Sequence, residues 1–288
     1  MQRITSDVDE LGECPTWEPR DQRFYWLDVV GKTLQSCRPD GSDRTSRKFD
    51  DYPGSFAPRI GGGHLVAFRK GLVLLSPDGA EERRVEPSVV DFAKERFNDG
   101  KADSRGRFFV GAMDRRLKNP VGGLFRVDPD LTVTKISDGY GISNGIAWSP
   151  DDATMYHCDS DPPHVYAYDF DVETGAVANR RIFATFTEAQ GHPDGCAMDS
   201  EGFLWVAAPG SGCIRRLDPE GREAEILETP VRFPSSIAFG DDDLKTLYIT
   251  TLQPHEKTPE GGASPGVDGC VFKTRVDVAG LPVGLFKG

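Results

Sequence analysis

The segment RFNDGKADSRGRFFVGAM, residues 96–113, runs from a polar cluster through a turn into a strand-forming run. The same shape recurs in GECPTWEPRDQRFYWLDV (12–29), SNGIAWSPDDATMYHCDS (143–160), HPDGCAMDSEGFLWVAA (192–208) and FPSSIAFGDDDLKTLYIT (233–250), with a weaker copy in SFAPRIGGGHLVAFRKGLVLLS (55–76). Anchored on Glu13, Ser55, Asn98, Asn144, Asp194 and Ser236, the units lie 42, 43, 46, 50 and 42 residues apart, and 52 residues follow Ser236. A period near 45 with about four strands per unit is the pattern of a β-propeller. Phe24-Tyr25-Trp26-Leu27, Phe108-Phe109-Val110, Phe203-Leu204-Trp205-Val206 and Leu247-Tyr248-Ile249 are aromatic and branched runs of strand type. Turn chemistry separates them, as in Pro39-Asp40-Gly41, Pro77-Asp78-Gly79, Ser200-Glu201-Gly202 and Pro219-Glu220-Gly221. The best helical window, Pro87 to Lys94, is short. The reading is therefore all-β: a six-bladed β-propeller, one domain over residues 1–288. Segment 2–11 is expected to add a strand to the last blade and close the ring. A β-sandwich of repeated hairpins would leave six similar units unexplained.

Composition narrows the function. The 288 residues carry 34 Lys and Arg against 46 Asp and Glu, a net charge of −12, which argues against nucleic-acid and membrane-surface roles. The 32 glycines and 21 prolines fit many tight turns. No apolar run reaches membrane-spanning length, and the polar start MQRITSDVDE lacks a secretory core, so a cytoplasmic location is expected. Cys14, Cys37, Cys158, Cys196, Cys213 and Cys270 form no C-x-x-C pair and read as buried reduced thiols.

In a propeller the strand that begins each unit can line the central channel, so side chains some 45 residues apart can converge. Glu13, Asn98, Asn144 and Asp194 all offer oxygens there. Two carboxylates and two amides in a dry channel need compensation, and a divalent cation is the simplest one. Oxygen-only donors suit Ca²⁺, Mg²⁺ or Mn²⁺, with Zn²⁺ and Fe(II) still open. Three protein ligands would leave positions for water and substrate. Asn144-Gly145 and Asp194-Gly195 also read as hairpin turn dipeptides. Ser236 need not bind metal.

At these residues the chain resembles the senescence marker protein-30/gluconolactonase/regucalcin-like family of sugar lactonases. Leu11-Gly12-Glu13-Cys14-Pro15-Thr16-Trp17 is similar to the family's G-E-x-P-x-W opening, Arg96-Phe97-Asn98-Asp99-Gly100 to its R-x-N-D segment, and Ile142-Ser143-Asn144-Gly145 to its S/T-N-G segment. Pro193-Asp194-Gly195, followed by Asp199-Ser200-Glu201-Gly202-Phe203-Leu204-Trp205, resembles P-D-G…D-x-E-G-x-L-W, and Gly269-Cys270-Val271-Phe272 the closing G-G-x-F strand. The ordered set is specific. The resemblance implies one axial divalent metal held by Glu13, Asn144 and Asp194, substrate contacts at Arg96 and Asn98, and Asp194 as proton donor/acceptor. Two features depart from the family pattern. Cys14 stands where small residues are usual. The loop Asp114 to Pro120 is basic and lacks the glutamate with which some members contact substrate.

The implied reaction is hydrolysis of an aldonolactone (glucono-, galactono-, arabino- or xylonolactone) to its acid. The metal would polarise the carbonyl and Asp194 would handle the proton. A metal-dependent esterase or phosphotriesterase and a non-enzymatic calcium-binding propeller are the alternatives. Other motifs read as structural: Asp169 to Gly175 and Asp241-Asp242-Asp243 as solvated turns, Gly61-Gly62-Gly63 as a blade turn, and Trp17, Trp26, Trp148 and Trp205 as blade packing. Of His64, His157, His164, His192 and His255, only His192 is placed at the pocket mouth, beside Asp194.

Overall fold

The computed structural model describes residues 1–254 and 267–288, so His255 lies outside the described residues. Six four-stranded antiparallel sheets form a ring. The first is Gly12–Glu18, Arg23–Asp28, Thr33–Cys37 and Thr45–Lys48, and the next four repeat that chain-ordered meander. In the sixth, Pro234–Gly240, Thr246–Thr251 and Phe272–Arg275 are joined by Gln2–Arg3, which pairs Gln2 with Lys273 and Arg3 with Phe272. The N-terminal strand thus covers what would be an open edge and ties the two ends of the chain into one blade. Pro87 to Lys94 is not a helix. It is a string of turns, with Val90 N–H on the Pro87 carbonyl and Lys94 N–H on that of Asp91. Among the described residues the one helical turn is the 3₁₀ turn Glu188–Gln190.

The first strand of each blade faces the axis, and these strands pack on one another around it. They are Gly12–Glu18, Pro53–Pro58, Glu95–Ala102, Ser143–Trp148, Cys196–Met198 and Pro234–Gly240. Apolar residues fill the spaces between blades. Phe97, Phe108 and Phe125 pack with Leu65 and Leu72 between the second and third, and Trp205 with Phe239 and Leu247 between the fifth and sixth. All four tryptophans are buried, and no cysteine is in a disulfide. Asp103 and Asp199 hold the turn after their inner strands. Asp199 is 0% exposed and accepts hydrogen bonds from Glu201 N, Phe203 N, Trp205 Nε1 and Arg216 Nε.

The two ends of the channel differ. At one end the chain's last residues cross the ring. Leu281 N–H bonds the Met198 carbonyl, Phe286 N–H that of Pro58 and Lys287 N–H that of Gly106, with Phe286 fully buried. A cavity of about 90 Å³ lies beneath them, lined by Leu281, Val283 and Phe239 among others. At the other end lie the beginnings of the inner strands, and every anchor residue is there.

Candidate functional site

The inner strands share a local irregularity at the anchors. Register shifts fall at Glu13/Thr16, Pro53/Ser55, Phe97/Gly100, Ser143/Ile146 and Pro234/Ser236. A bulge bends its strand and re-aims a side chain. Here five bulges occur at one level of the ring. In the fifth blade Asp194 lies two residues before the inner strand, fixed by Asp194 N–H on the Ala207 carbonyl and Ala207 N–H on that of Gly195. Gly145 and Gly195 are not turn glycines, because neither has a positive φ. Each lies where a neighbouring blade presses close: a Cβ on Gly145 would stand 2.4 Å from the Asp194 carbonyl oxygen, and one on Gly195 1.8 Å from Ser236 Oγ. Small residues let the inner strands converge, which decides against the hairpin reading.

A hydrogen-bonded chain links three of the sequence-predicted residues across two blades. Arg96 Nη1 donates to Asn98 Oδ1 at 3.0 Å, and Asn98 Nδ2 donates to Asn144 Oδ1 at 2.7 Å and to the Ser143 carbonyl at 2.9 Å. Asn144 Nδ2 donates to Ser160 Oγ at 2.8 Å, which donates to the Pro193 carbonyl beside Asp194. The Asn98 amide is therefore engaged at both ends and orients Asn144, while Arg96 keeps donors to spare.

Glu13 and Asp194 complete the set. Burial pushes the Glu13 carboxyl well above its usual range, and the Asp194 and Asp99 charges add to that. Burial and then Asp99 do the same to Asp194, and burial raises Asp99 with Lys101 opposing. Asp194 Oδ1 is buried with no hydrogen-bond partner. Unsatisfied buried acceptors are rare, and this one sits among like charges. Two carboxylates and one amide carbonyl are hard oxygen donors that would hold a divalent cation, so the residues fit the ion the sequence implies. Among the described residues there is no cluster of three His, Cys, Asp or Glu that could do so without the amide.

Several neighbours carried little or no signal in the sequence. Asp99, inside the R-x-N-D segment, is a third buried carboxylate at the site. Lys101 reaches from the third blade to the Cys196 carbonyl of the fifth, 2.7 Å away. Cys14 occupies the first blade's bulge with φ 51°, its thiol directed at the Phe56 and Gly100 carbonyls. Burial raises its pKa well above the ordinary thiol value, so it packs rather than reacts. His192 is exposed, with Nδ1 2.9 Å from the Ser160 carbonyl oxygen, whereas His157 is buried and burial pushes its pKa down to about 3. A cavity of about 290 Å³ opens beside Arg96, lined by Leu11, Val29, Tyr52, Arg69 and Arg115 among others.

The family model of the SMP-30/gluconolactonase/LRE-like region matches residues 11–253. The chain belongs to this family. It is 37% identical to a 6-deoxy-6-sulfogluconolactonase of Pseudomonas putida, over 96% of this chain and 95% of that one. It is 36% identical to a pentonolactonase of Haloferax volcanii, over 97% and 96%. A solved structure of regucalcin from Agrobacterium tumefaciens, described as a calcium-binding protein, superposes with a TM-score of 0.92 at 25% identity, covering 100% of this chain and 97% of that one. These relatives span the whole propeller, so the likeness includes the blades that supply the site.

Proposed function

We propose that the protein, folded as a single unit, is a divalent-cation-dependent sugar lactonase whose site is Glu13, Asn144, Asp194, Arg96 and Asn98. The observation that carries this is the buried, unpartnered Asp194 Oδ1 among acidic neighbours. Glu13, Asn144 and Asp194 would hold the ion, which when bound supplies Lewis-acid polarisation of the lactone carbonyl and offsets the buried negative charge. Arg96 donates to the carbonyl or to ring hydroxyls. Asn98 fixes the Asn144 amide. Asp194 orients the attacking water and takes its proton as the water oxygen bonds to the carbonyl carbon. When the ring C–O bond breaks, that proton goes to the ring oxygen, which leaves as the hydroxyl of the aldonic acid. A strained cyclic ester needs no separate nucleophilic side chain. The named lactonases among the relatives support the reaction class, and the oxygen donors favour Ca²⁺, Mg²⁺ or Mn²⁺. The unbridged thiols support a cytoplasmic location.

The test is an aldonolactone panel, with organophosphate esters beside it, run on chelator-treated protein with single divalent ions added back. Turnover of lactones that disappears on chelation and returns with a hard divalent ion is the expected result. Full activity after complete metal removal refutes the metal dependence. Saturable metal binding with no hydrolysis of any ester favours the calcium-binding alternative.

A further inference from the structure

The cavity beside Arg96 has a charge that hydrolysis of a neutral sugar lactone does not require. Three arginines from two adjacent blades line it, Arg69, Arg96 and Arg115, and among the described residues no acidic side chain does. The guanidinium groups are poorly neutralised. Arg96 bonds the Phe97 carbonyl and Asn98 Oδ1, and Arg115 bonds the Phe92 carbonyl. Among the described residues neither pairs with a carboxylate within ion-pair distance. Arg69 reaches Asp51 at 3.2 Å, yet its Nε is buried without a partner. Lys32 and Arg69 both lie over the ring of Tyr52, which lines the cavity, at 4.4 and 5.1 Å. Burial pushes the Arg96 pKa down, the Glu13 charge on its axial side opposes that shift, and the nearby Arg69 charge adds to it. In a chain of net charge −12 this is a local reversal of sign.

The loop that carries Arg115 sharpens the point. Residues 114–120 carry Arg115, Arg116 and Lys118, and their one carboxylate is spent internally. Asp114 is buried, its oxygens accepting hydrogen bonds from the backbone of Arg116, Lys118 and Asn119. The loop therefore brings Arg115 to the cavity and leaves no carboxylate of its own to screen it.

We propose that this cavity is an anion subsite, so that the preferred substrate is a lactone carrying a sulfonate, phosphate or carboxylate on the carbon chain remote from the carbonyl. The inference rests on the lactonase reading and names the substrate class within it. Arg96 stands between the two parts of the site. On its axial side it joins Asn98 and Asn144, where the lactone carbonyl would lie, and on its other side it lines the cavity with Arg69 and Arg115. A ring bound over the axis directs its exocyclic carbon into the basic cavity. Charge-assisted bonds from arginine forks to an anionic group, in place of the mutual repulsion of Arg69 and Arg96, are worth on the order of tenfold to a hundredfold in binding.

The experiment compares kcat/KM for glucono-δ-lactone, its 6-phosphate and its 6-sulfonate, with spontaneous hydrolysis subtracted. It uses the wild type, Arg69→Met/Arg115→Met and Arg69→Lys/Arg115→Lys. A parallel calorimetric arm measures binding of gluconate and 6-phosphogluconate, so the subsite is tested apart from turnover. The wild type should prefer the anionic lactones by tenfold or more, the preference should shrink with added salt, and the phosphate and sulfonate arms identify the anion. The double Met variant should bring the anionic-to-neutral ratio towards one, and the double Lys variant should restore part of it. Equal kcat/KM for neutral and anionic lactones in the wild type, or a preference that survives the double Met variant with melting temperature unchanged, overturns the subsite. If no lactone is turned over, the lactonase reading fails, and tighter binding of 6-phosphogluconate than of gluconate would still uphold the basic cavity. Equal binding would end both.

Discussion

If the buried carboxylates at the axis await a cation, neutralising one of them should stabilise the protein when no cation is present. Asp194→Asn keeps the side-chain shape and removes the charge. In the wild type Asp194 Oδ1 has no donor, and the Glu13 and Asp99 carboxyls lie within electrostatic reach. Leaving one buried polar atom unsatisfied costs about 1–3 kcal/mol, and an uncompensated buried charge more. The asparagine removes the repulsion, and its amide can donate to a neighbouring carboxylate. A gain of about 2 kcal/mol is expected in chelator, roughly 4 °C in Tm for a chain of this size. Added divalent ion should reverse the order. The wild type gains RT ln(1 + [L]/Kd), about 2.7 kcal/mol at a hundredfold excess over Kd, and the variant gains much less. Thermal unfolding of both proteins, in chelator and in saturating ion at the same pH, reads the four values, and lactone hydrolysis should be lost in the variant throughout. An Asp194→Asn protein less stable than wild type in chelator would show that the carboxylate is already compensated within the fold, and the argument for a cation would fall with it.

Asp199→Ala strips the partner from Trp205 Nε1 and two backbone N–H groups, and one of two carboxylate hydrogen-bond partners from Arg216, in a fully buried position, and should destabilise by about 3–5 kcal/mol in denaturant unfolding. A loss below 1 kcal/mol would deny it the role of hub. Burial, then the Asp28 charge, raises the Asp9 pKa to about 7, although Trp26 and Gln35 donate to it. Because the folded pKa exceeds the unfolded one, its contribution is full below pH ~4 and is lost as pH rises through about 7. Stability should fall by about 2–3 kcal/mol from pH 5 to pH 8, and Asp9→Asn should flatten that slope. An unchanged slope in the variant assigns the pH dependence to other groups. Phe286→Ala opens a cavity where the C-terminal segment enters the core between the second and third blades, and should cost about 3–5 kcal/mol. A melting temperature within 1–2 °C of wild type would make the crossing segment ornamental.

The architecture was legible because a propeller repeats its own signature. The period near 45, the aromatic second strands and the turns with Asp-Gly or Glu-Gly each occur several times, so local ambiguity averages out. The inner-strand anchors were legible for the same reason, since equivalent positions in a radial repeat meet on the axis. The short window Pro87 to Lys94, the best helical candidate in the sequence, has no repeat to check it, and its spacing comes from consecutive turns. The basic cavity was harder to read. Arg69 ends a hairpin of the second blade, Arg96 starts an inner strand and Arg115 opens a loop, so no spacing rule joins them. Only the lateral packing of neighbouring blades brings them together. The roles of Gly145 and Gly195 were hidden too, because a turn glycine and a close-packing glycine are written with the same letter.

Two populations of buried carboxylates explain how one fold can be both stable and reactive. Asp28 accepts N–H bonds from Glu10, Leu11 and Gly31, Asp114 from Arg116, Lys118 and Asn119, and Asp159 from Gly141, Ile142 and Asp161. These three sit at equivalent ends of second strands, where the following loop and, for Asp28 and Asp159, the segment leading into the inner strand offer donors. One strand nearer the axis, at the same end of the ring, Glu13 and Asp194 receive no such ring of donors. Glu13 stands at its strand's bulge and Asp194 just ahead of its strand, where a neighbouring blade presses close. The satisfied set stabilises the walls in about the way a cap stabilises a helix end. The starved set keeps lone pairs available at the channel's open end. Substitution should divide along that line. Alanine in the first set lowers stability and leaves kcat nearly intact, while a neutral isostere in the second abolishes turnover and leaves the cation-free protein as stable as before or more so. A member of the first set whose alanine variant folds with wild-type stability but has lost turnover would break the division.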